Sequence, residues 1–147
     1  FDHIGNNELF KNAKFIGQKE EVPLLVSPPP YATFYYREWL HKLTSIGDRL
    51  EVIDGDYRLS KNIELLKVGG HVPGQMVAMV ETNVGRVCLA TDFLYNYSNL
   101  RNAWPMGPVW NMDEWMKGYR RITGEADICV PNHDYEFYEI YKDGIIG

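Results

Sequence analysis

The chain has 147 residues, 45% of them hydrophobic and 14% aromatic, with a formal net charge of −5. That length and composition suffice for one domain with a real core and exclude disorder. Its charges are interspersed, with no basic stripe to track a phosphate backbone, and no apolar run approaches the roughly 20 residues a bilayer requires, so neither nucleic acid nor a membrane is an expected partner.

In chain order, Asn6 and Asn7 are placed to cap a short helix whose apolar side is Leu9 and Phe10. Residues 13–18 read as a short strand. Pro23 and the run Pro28-Pro29-Pro30 exclude regular helix and central strand from residues 19–30, leaving a loop or lid. Over residues 31–46, Phe34, Tyr35, Trp39, Leu40 and Leu43 recur at helical spacing. The period then changes to that of short strands at 50–53, 63–68, 76–81 and 86–91, with Asp54-Gly55 as a turn and Asn83-Val84-Gly85 as a hairpin connection. A helix is expected over 112–122, with Asp113 and Glu114 in its first turn and Arg120-Arg121 in its last, as the helix dipole prefers. A buried strand at 128–130 and a helix at 135–141 complete the reading. Strands interleaved with helices, without an internal repeat, make this an α/β chain.

Cys88 and Cys129 sit singly in apolar stretches without C-x-x-C spacing. They read as small buried hydrophobes of a protein kept in a reducing compartment, the cytoplasm.

Five side chains of metal-ligand type stand at turns or at the ends of apolar runs: Asp2, His3, His71, Asp92 and His133. His71 lies in Gly69-Gly70-His71-Val72-Pro73-Gly74 directly after a strand, where two glycines and a Pro-Gly fix a tight loop. Such a histidine is a ligand candidate or an ordinary surface residue. Asp92 ends an apolar run, so its carboxylate needs a metal, a salt bridge or a helix end as partner. His133 follows the last strand through Pro131-Asn132, and its neighbour Asp134 either orients the ring or caps the next helix. His41 falls on the aromatic helix and faces solvent. Imidazole and carboxylate together suit Zn²⁺, Fe²⁺ or Mn²⁺.

Phe-Asp-His, then Gly-His-x-Pro-Gly, then Thr-Asp, then Asn-His-Asp, in that order, resemble the metallo-β-lactamase superfamily and within it the N-acyl homoserine lactonases. Val52-Ile53-Asp54-Gly55-Asp56-Tyr57, Val80-Glu81-Thr82 and Tyr119-Arg120-Arg121 extend the similarity from Phe1 to about Tyr141. The resemblance implies an αββα sandwich of which residues 1–147 supply the C-terminal part as one hydrolase domain. Phe1 to Gly5 would continue an H-x-H-x-D-H motif whose leading histidines, on an upstream segment of the same protein, complete the site. It also implies two divalent metals, zinc foremost, with Fe, Mn or Co as alternatives. Asp2, His3 and His133 would hold one metal, His71 the other, and Asp92 would bridge them. Tyr95 would contact the substrate carbonyl or its oxyanion, and Phe1 would line the pocket. One departure stands out: the family often carries a second histidine where this chain has Gln75.

The implied activity is quorum quenching, the opening of an acyl homoserine lactone or related lactone by a metal-bridging hydroxide, with Asp2 assisting proton transfer to the leaving oxygen. The alternatives are hydrolysis of a thioester such as an acyl-glutathione, of a β-lactam or of another cyclic ester, and an inactive fragment. The isolated 147-residue piece is expected to bind no more than about one metal tightly and to lack hydrolase activity. Aromatics at 31–39, with Trp104, Pro105, Met106, Trp110 and Trp115, serve as core, as a homodimer face or as an acyl channel.

Overall fold

The computed structural model describes residue 3, residues 6–30 and residues 45–146. The chain divides into two compact units, Phe1–Asp54 and Gly55–Gly147.

In the first unit, β1 (Phe15–Gln18) pairs in parallel with β2 (Leu50–Ile53), Phe15 opposite Leu50 and Gln18 opposite Ile53. The Lys19 N–H extends the ladder to the Ile53 carbonyl at 2.9 Å. A six-residue helix, α1 (Glu21–Val26), occupies the stretch from which the prolines exclude helix in the sequence reading. Pro23 is its third residue, where a backbone N–H has no acceptor within the helix in any case, so the missing donor costs nothing. The helix closes when the Ser27 N–H donates to the Pro23 carbonyl at 2.9 Å, and the proline run follows. Asn7–Leu9 is a single 3₁₀ turn, and the Asn6 side chain does not cap it. Asn7 is instead buried and donates through Nδ2 to Ser45 Oγ at 3.2 Å. The aromatic helix expected over 31–46, with His41, lies outside the described residues except for Ser45 and Ile46, which form a turn.

The second unit is a five-stranded sheet in the order β3 (Tyr57–Arg58), β4 (Ile63–Lys67), β5 (Met76–Thr82), β6 (Gly85–Leu89), β7 (Ile128–Val130). The first four strands form an antiparallel meander, and β7 joins β6 in parallel. A parallel neighbour needs a crossover, supplied here by α2 (Tyr97–Asn102) and α3 (Met112–Glu125). Strand alternation puts Leu66 and Val68, Val77 and Met79, and Cys88 and Ala90 on one buried face, against which α3 lays Trp115 and Ile122. Trp115 is wholly buried, stacks on Phe93 at 5.5 Å, and donates through Nε1 to the Phe93 carbonyl at 3.1 Å, so its one polar atom is satisfied. Gly118 is required at this contact, because a Cβ there would meet Phe93 Cζ and Val68 Cβ at 2.9 Å.

Helix α3 runs three residues beyond the expected 112–122, which moves Arg120 and Arg121 out of its last turn. Arg121 grips the Asp56 carboxylate with two hydrogen bonds, at 3.0 and 2.8 Å, and reaches Glu125 at 3.0 Å. The last α-helix among the described residues is α4 (Glu136–Ile140), within the predicted 135–141, and a 3₁₀ turn at Lys142–Gly144 follows it. Cys88 and Cys129 are free thiols opposed in the β6–β7 register, and a hydrogen bond donated by Cys88 to Cys129, together with burial, pushes the Cys88 thiol up. No helix among the described residues is long and apolar enough to cross a membrane.

The hydrogen bonds from Arg121 hold the Asp56 carboxyl below the ordinary carboxylate range, and the Lys67 N–H adds to the effect. A group whose pKa is lowered by folding contributes stability above its unfolded value, and the contribution disappears as pH falls through the folded value. Asp56→Asn is therefore expected to lose about 0.2–1 kcal/mol at pH 7. That difference from the unsubstituted protein should shrink to nothing well below pH 4, as read by urea unfolding across pH.

Candidate metal centre

Three strands of the sheet run in the same direction: β4 and β6 are each antiparallel to β5, and β7 is parallel to β6. Their carboxyl ends therefore share one edge of the sheet. His71, Asp92 and His133 each lie just beyond one of those ends, so the topology collects residues separated by 62 positions in sequence.

The loop after β4 is shaped by its two glycines. Gly69 and Gly70 hold φ of 63° and 89°, and a Cβ on Gly70 would lie 2.7 Å from the Trp115 backbone. That close approach lets the Gly70 carbonyl accept from the Trp110 and Asn111 N–H groups, at 2.7 and 3.0 Å, where Asn111 caps α3. His71 is consequently pinned against the start of the helix. Its Nδ1 lies 2.8 Å from the Pro108 carbonyl; a carbonyl only accepts, so Nδ1 carries a proton and Nε2 is the nitrogen left to face the site. That Nε2 faces Asp92 Oδ2 at 4.0 Å, beyond hydrogen-bond range.

Strand β6 ends at Leu89, two residues before the expected 91, and Asp92 stands beyond it, in the single 3₁₀ turn Thr91–Phe93. Its carboxylate is only 14% exposed. Oδ1 accepts from Asn132 Nδ2 at 2.9 Å and lies 2.9 Å from His133 Nε2, so the two oxygens face different imidazoles. His133 is fixed by its backbone N–H, which donates to the Tyr95 carbonyl at 2.9 Å, and by its ring, which stacks on Tyr95 with centroids 4.1 Å apart. Asp134 does not orient that ring. Its carboxylate accepts from the first N–H of α2, on Tyr97, at 2.7 Å and from the first of α4, on Glu136, at 2.9 Å, and these two bonds lower its pKa. One carboxylate thus caps two helices.

Beside these groups lies a cavity of about 440 Å³ lined by Tyr95, Asn96 and Asn99 and by residues 105–108. Helix α2, absent from the sequence reading, is announced by Asn96 and Asn99, whose side chains and backbones cap one another at 3.0 and 2.9 Å. The tryptophans divide: Trp115 is core and Trp104 is 61% exposed. Asn132 and the Pro108 carbonyl, also missed, touch the predicted ligands directly.

An imidazole beside each oxygen of one carboxylate is a donor set that suits divalent metals of the N- and O-ligand class. The grip on His71 Nδ1 is the kind of support that metal-ligating histidines receive. His3 belongs to the first unit, as an exposed turn residue, and Phe1 and Asp2 lie outside the described residues.

The sequence profile of the metallo-beta-lactamase superfamily matches residues 1–133. The chain belongs to the metallo-β-lactamase superfamily, and the predicted α/β fold class holds. Within it, the chain is similar to N-acyl homoserine lactonases. It is 31% identical over 106 residues to one from Bacillus sp, covering 71% of this chain and 39% of that protein. It is 29% identical over 140 residues to the lactonase AiiA of Bacillus thuringiensis subsp. kurstaki, covering 92% and 53%. The chain thus spans between about two fifths and about half the length of these relatives. Among solved structures, an N-acyl homoserine lactone hydrolase with N-hexanoyl-L-homoserine at its catalytic metal center superposes with a TM-score of 0.76 at 24% identity, covering 97% of this chain and 55% of that one. AidC, a dizinc quorum-quenching lactonase, gives 0.60 at 15%, covering 78% and 44%.

Gly70→Ala would force both a left-handed φ and a contact with Trp115 on a residue that has a Cβ. It is expected to destabilise the protein by about 2 kcal/mol or more. Gly124→Ala, with open space around the Cβ, is expected to be near neutral or stabilising. Urea midpoints of the two variants provide the check.

Proposed function

We propose that this chain supplies site residues of a metal-dependent lactonase that opens the ring of an N-acyl homoserine lactone and so quenches quorum signals. The observation that carries the reading is the Asp92 carboxylate, half-buried at a strand end with one oxygen 2.9 Å from His133 Nε2 and the other 4.0 Å from His71 Nε2. The similarity to lactonases at 31% and 29% identity supplies the substrate class.

In this reading His71, His133 and Asp92 would be among the residues that hold divalent metals, zinc first among them. For Asp2 and His3 as ligands, and for Phe1 as a pocket residue, the proposal rests on the Phe-Asp-His motif alone. When bound, such metals supply Lewis acidity and bring the pKa of water down towards about 7. The residues of the chain do the rest. Tyr95, at the cavity and stacked on the His133 ring, donates its hydroxyl to the oxygen that becomes negative when the ring carbonyl is attacked. Asn132 keeps Asp92 Oδ1 in place. The cavity is of a size that accepts a small acyl lactone.

The test is hydrolysis by the metal-loaded, full-length gene product of homoserine lactones of varied acyl length, with an acyl-glutathione and a β-lactam as controls. Lactones are expected to be the preferred substrates, and preference for the thioester would reject the reading. Tyr95→Phe should lower kcat by about 10²-fold or more at unchanged metal content. Asp92→Asn should lower metal content and turnover together, and equal metal loss in the two variants would refute the assigned roles.

A further inference from the structure

Gln75 joins two of the segments that meet at the site. Through its backbone it closes the His71 loop: its carbonyl accepts from the Val68 and Gly69 N–H groups at 2.9 and 3.2 Å, and its N–H donates to the Val72 carbonyl at 3.1 Å. Through its side chain it reaches the Asp92 turn. Nε2 donates to Thr91 Oγ1 at 2.6 Å and to the Met76 carbonyl at 3.0 Å, so both protons of the amide nitrogen are committed although the residue is only 9% exposed.

Thr91 needs such a hold. It adopts φ 49°, the left-handed region, which a β-branched residue rarely enters unless its surroundings impose it. Its hydroxyl lies 2.9 Å from the Met76 carbonyl and 2.7 Å from the Ala90 carbonyl, acceptors for its single proton, while it accepts from Gln75. Asp92 is the next residue. Reversal of the Thr91 φ would re-aim the carboxylate that faces His71 and His133.

We propose that Gln75 is a positioning residue: its backbone bonds to the His71 loop and its amide bond to the strained Thr91 fix the spacing between His71 and Asp92, and with it the affinity of the site for a divalent cation. The cation part rests on the metal reading given above. The geometric part does not.

The experiment compares Gln75→Met and Thr91→Val, which remove the bond at similar volume, with Thr91→Ser, which keeps the hydroxyl, and with Tyr119→Phe. The last variant loses a hydrogen bond to the Leu100 carbonyl and so reports a stability loss away from the site. Zinc affinity is read by competition with a chromogenic chelator, and the apo-protein of each variant is crystallised. Gln75→Met and Thr91→Val are expected to weaken zinc binding 10- to 100-fold. The double variant should be no weaker than the worse single one, and Thr91→Ser and Tyr119→Phe should stay within about twofold of the parent. In the crystals, Thr91 of Gln75→Met should leave the left-handed region and Asp92 should part from His133. Parental affinity in folded Gln75→Met, or effects that multiply in the double variant, would overturn the proposal. If the parent protein itself binds no zinc, the metal reading falls, and the crystals decide the geometric part: an unchanged Thr91 φ with Asp92 still 2.9 Å from His133 overturns it. Should Gln75→Met not fold, Thr91→Val is judged by the same two readouts.

Discussion

A carboxylate placed beyond the end of an apolar strand and left only 14% exposed must find partners, because burying an unpaired charge costs several kcal/mol. Asp92 is that group, and the surrounding architecture delivers partners to it. Asn132 and His133 arrive from the end of β7 and His71 from the end of β4, on the two sides of the strand that Asp92 follows. Its two oxygens face two imidazoles, Oδ1 within hydrogen-bond distance of His133 Nε2 and Oδ2 4.0 Å from His71 Nε2.

Strand direction is what makes this possible. In a sheet made only of hairpins, successive strand ends alternate between opposite edges, and three consecutive turns cannot converge. Here β5 separates β4 from β6 and restores direction, and the α2–α3 crossover lets β7 run parallel to β6. The crossover helices do more than connect. The start of α3 anchors the His71 loop through the Gly70 carbonyl, and the starts of α2 and α4 share the Asp134 carboxylate one residue from His133. Helix starts, with their unsatisfied N–H groups, thus supply anchor points that rigid ligand positions need.

This division explains how much could be read from the sequence. Local signals were legible: the change to strand periodicity gave β2, β4 and β5, and a continuous apolar run gave β7, to within a residue or so, while glycine pairs and strand ends marked His71, Asp92 and His133. Tertiary facts were not. Pro23 looks like a helix breaker until its place in the first turn is known, and α2 has only six residues, too short for hydrophobic periodicity to show. Trp104 and Trp115 have equal hydrophobicity in sequence, but one is exposed and the other lies at the centre of the core. The left-handed Thr91 leaves no trace in composition at all, and the Gln75 amide that donates to its hydroxyl is 16 residues away in sequence.

The same contacts tie the candidate ligands to the cavity. Pro108 lines it and also holds His71 Nδ1 through its carbonyl; Tyr95 lines it and also carries the His133 ring on its own. A molecule that displaces the 105–108 loop therefore acts on one imidazole through a single hydrogen bond. One that turns the Tyr95 ring acts on the other through a stacking contact. Because both imidazoles face the single carboxylate of Asp92, these two effects meet at one group. Cavity shape and ligand geometry are in this sense one mechanical property, and substitutions along 105–108 should be judged by what they do to His71 as much as by the space they open.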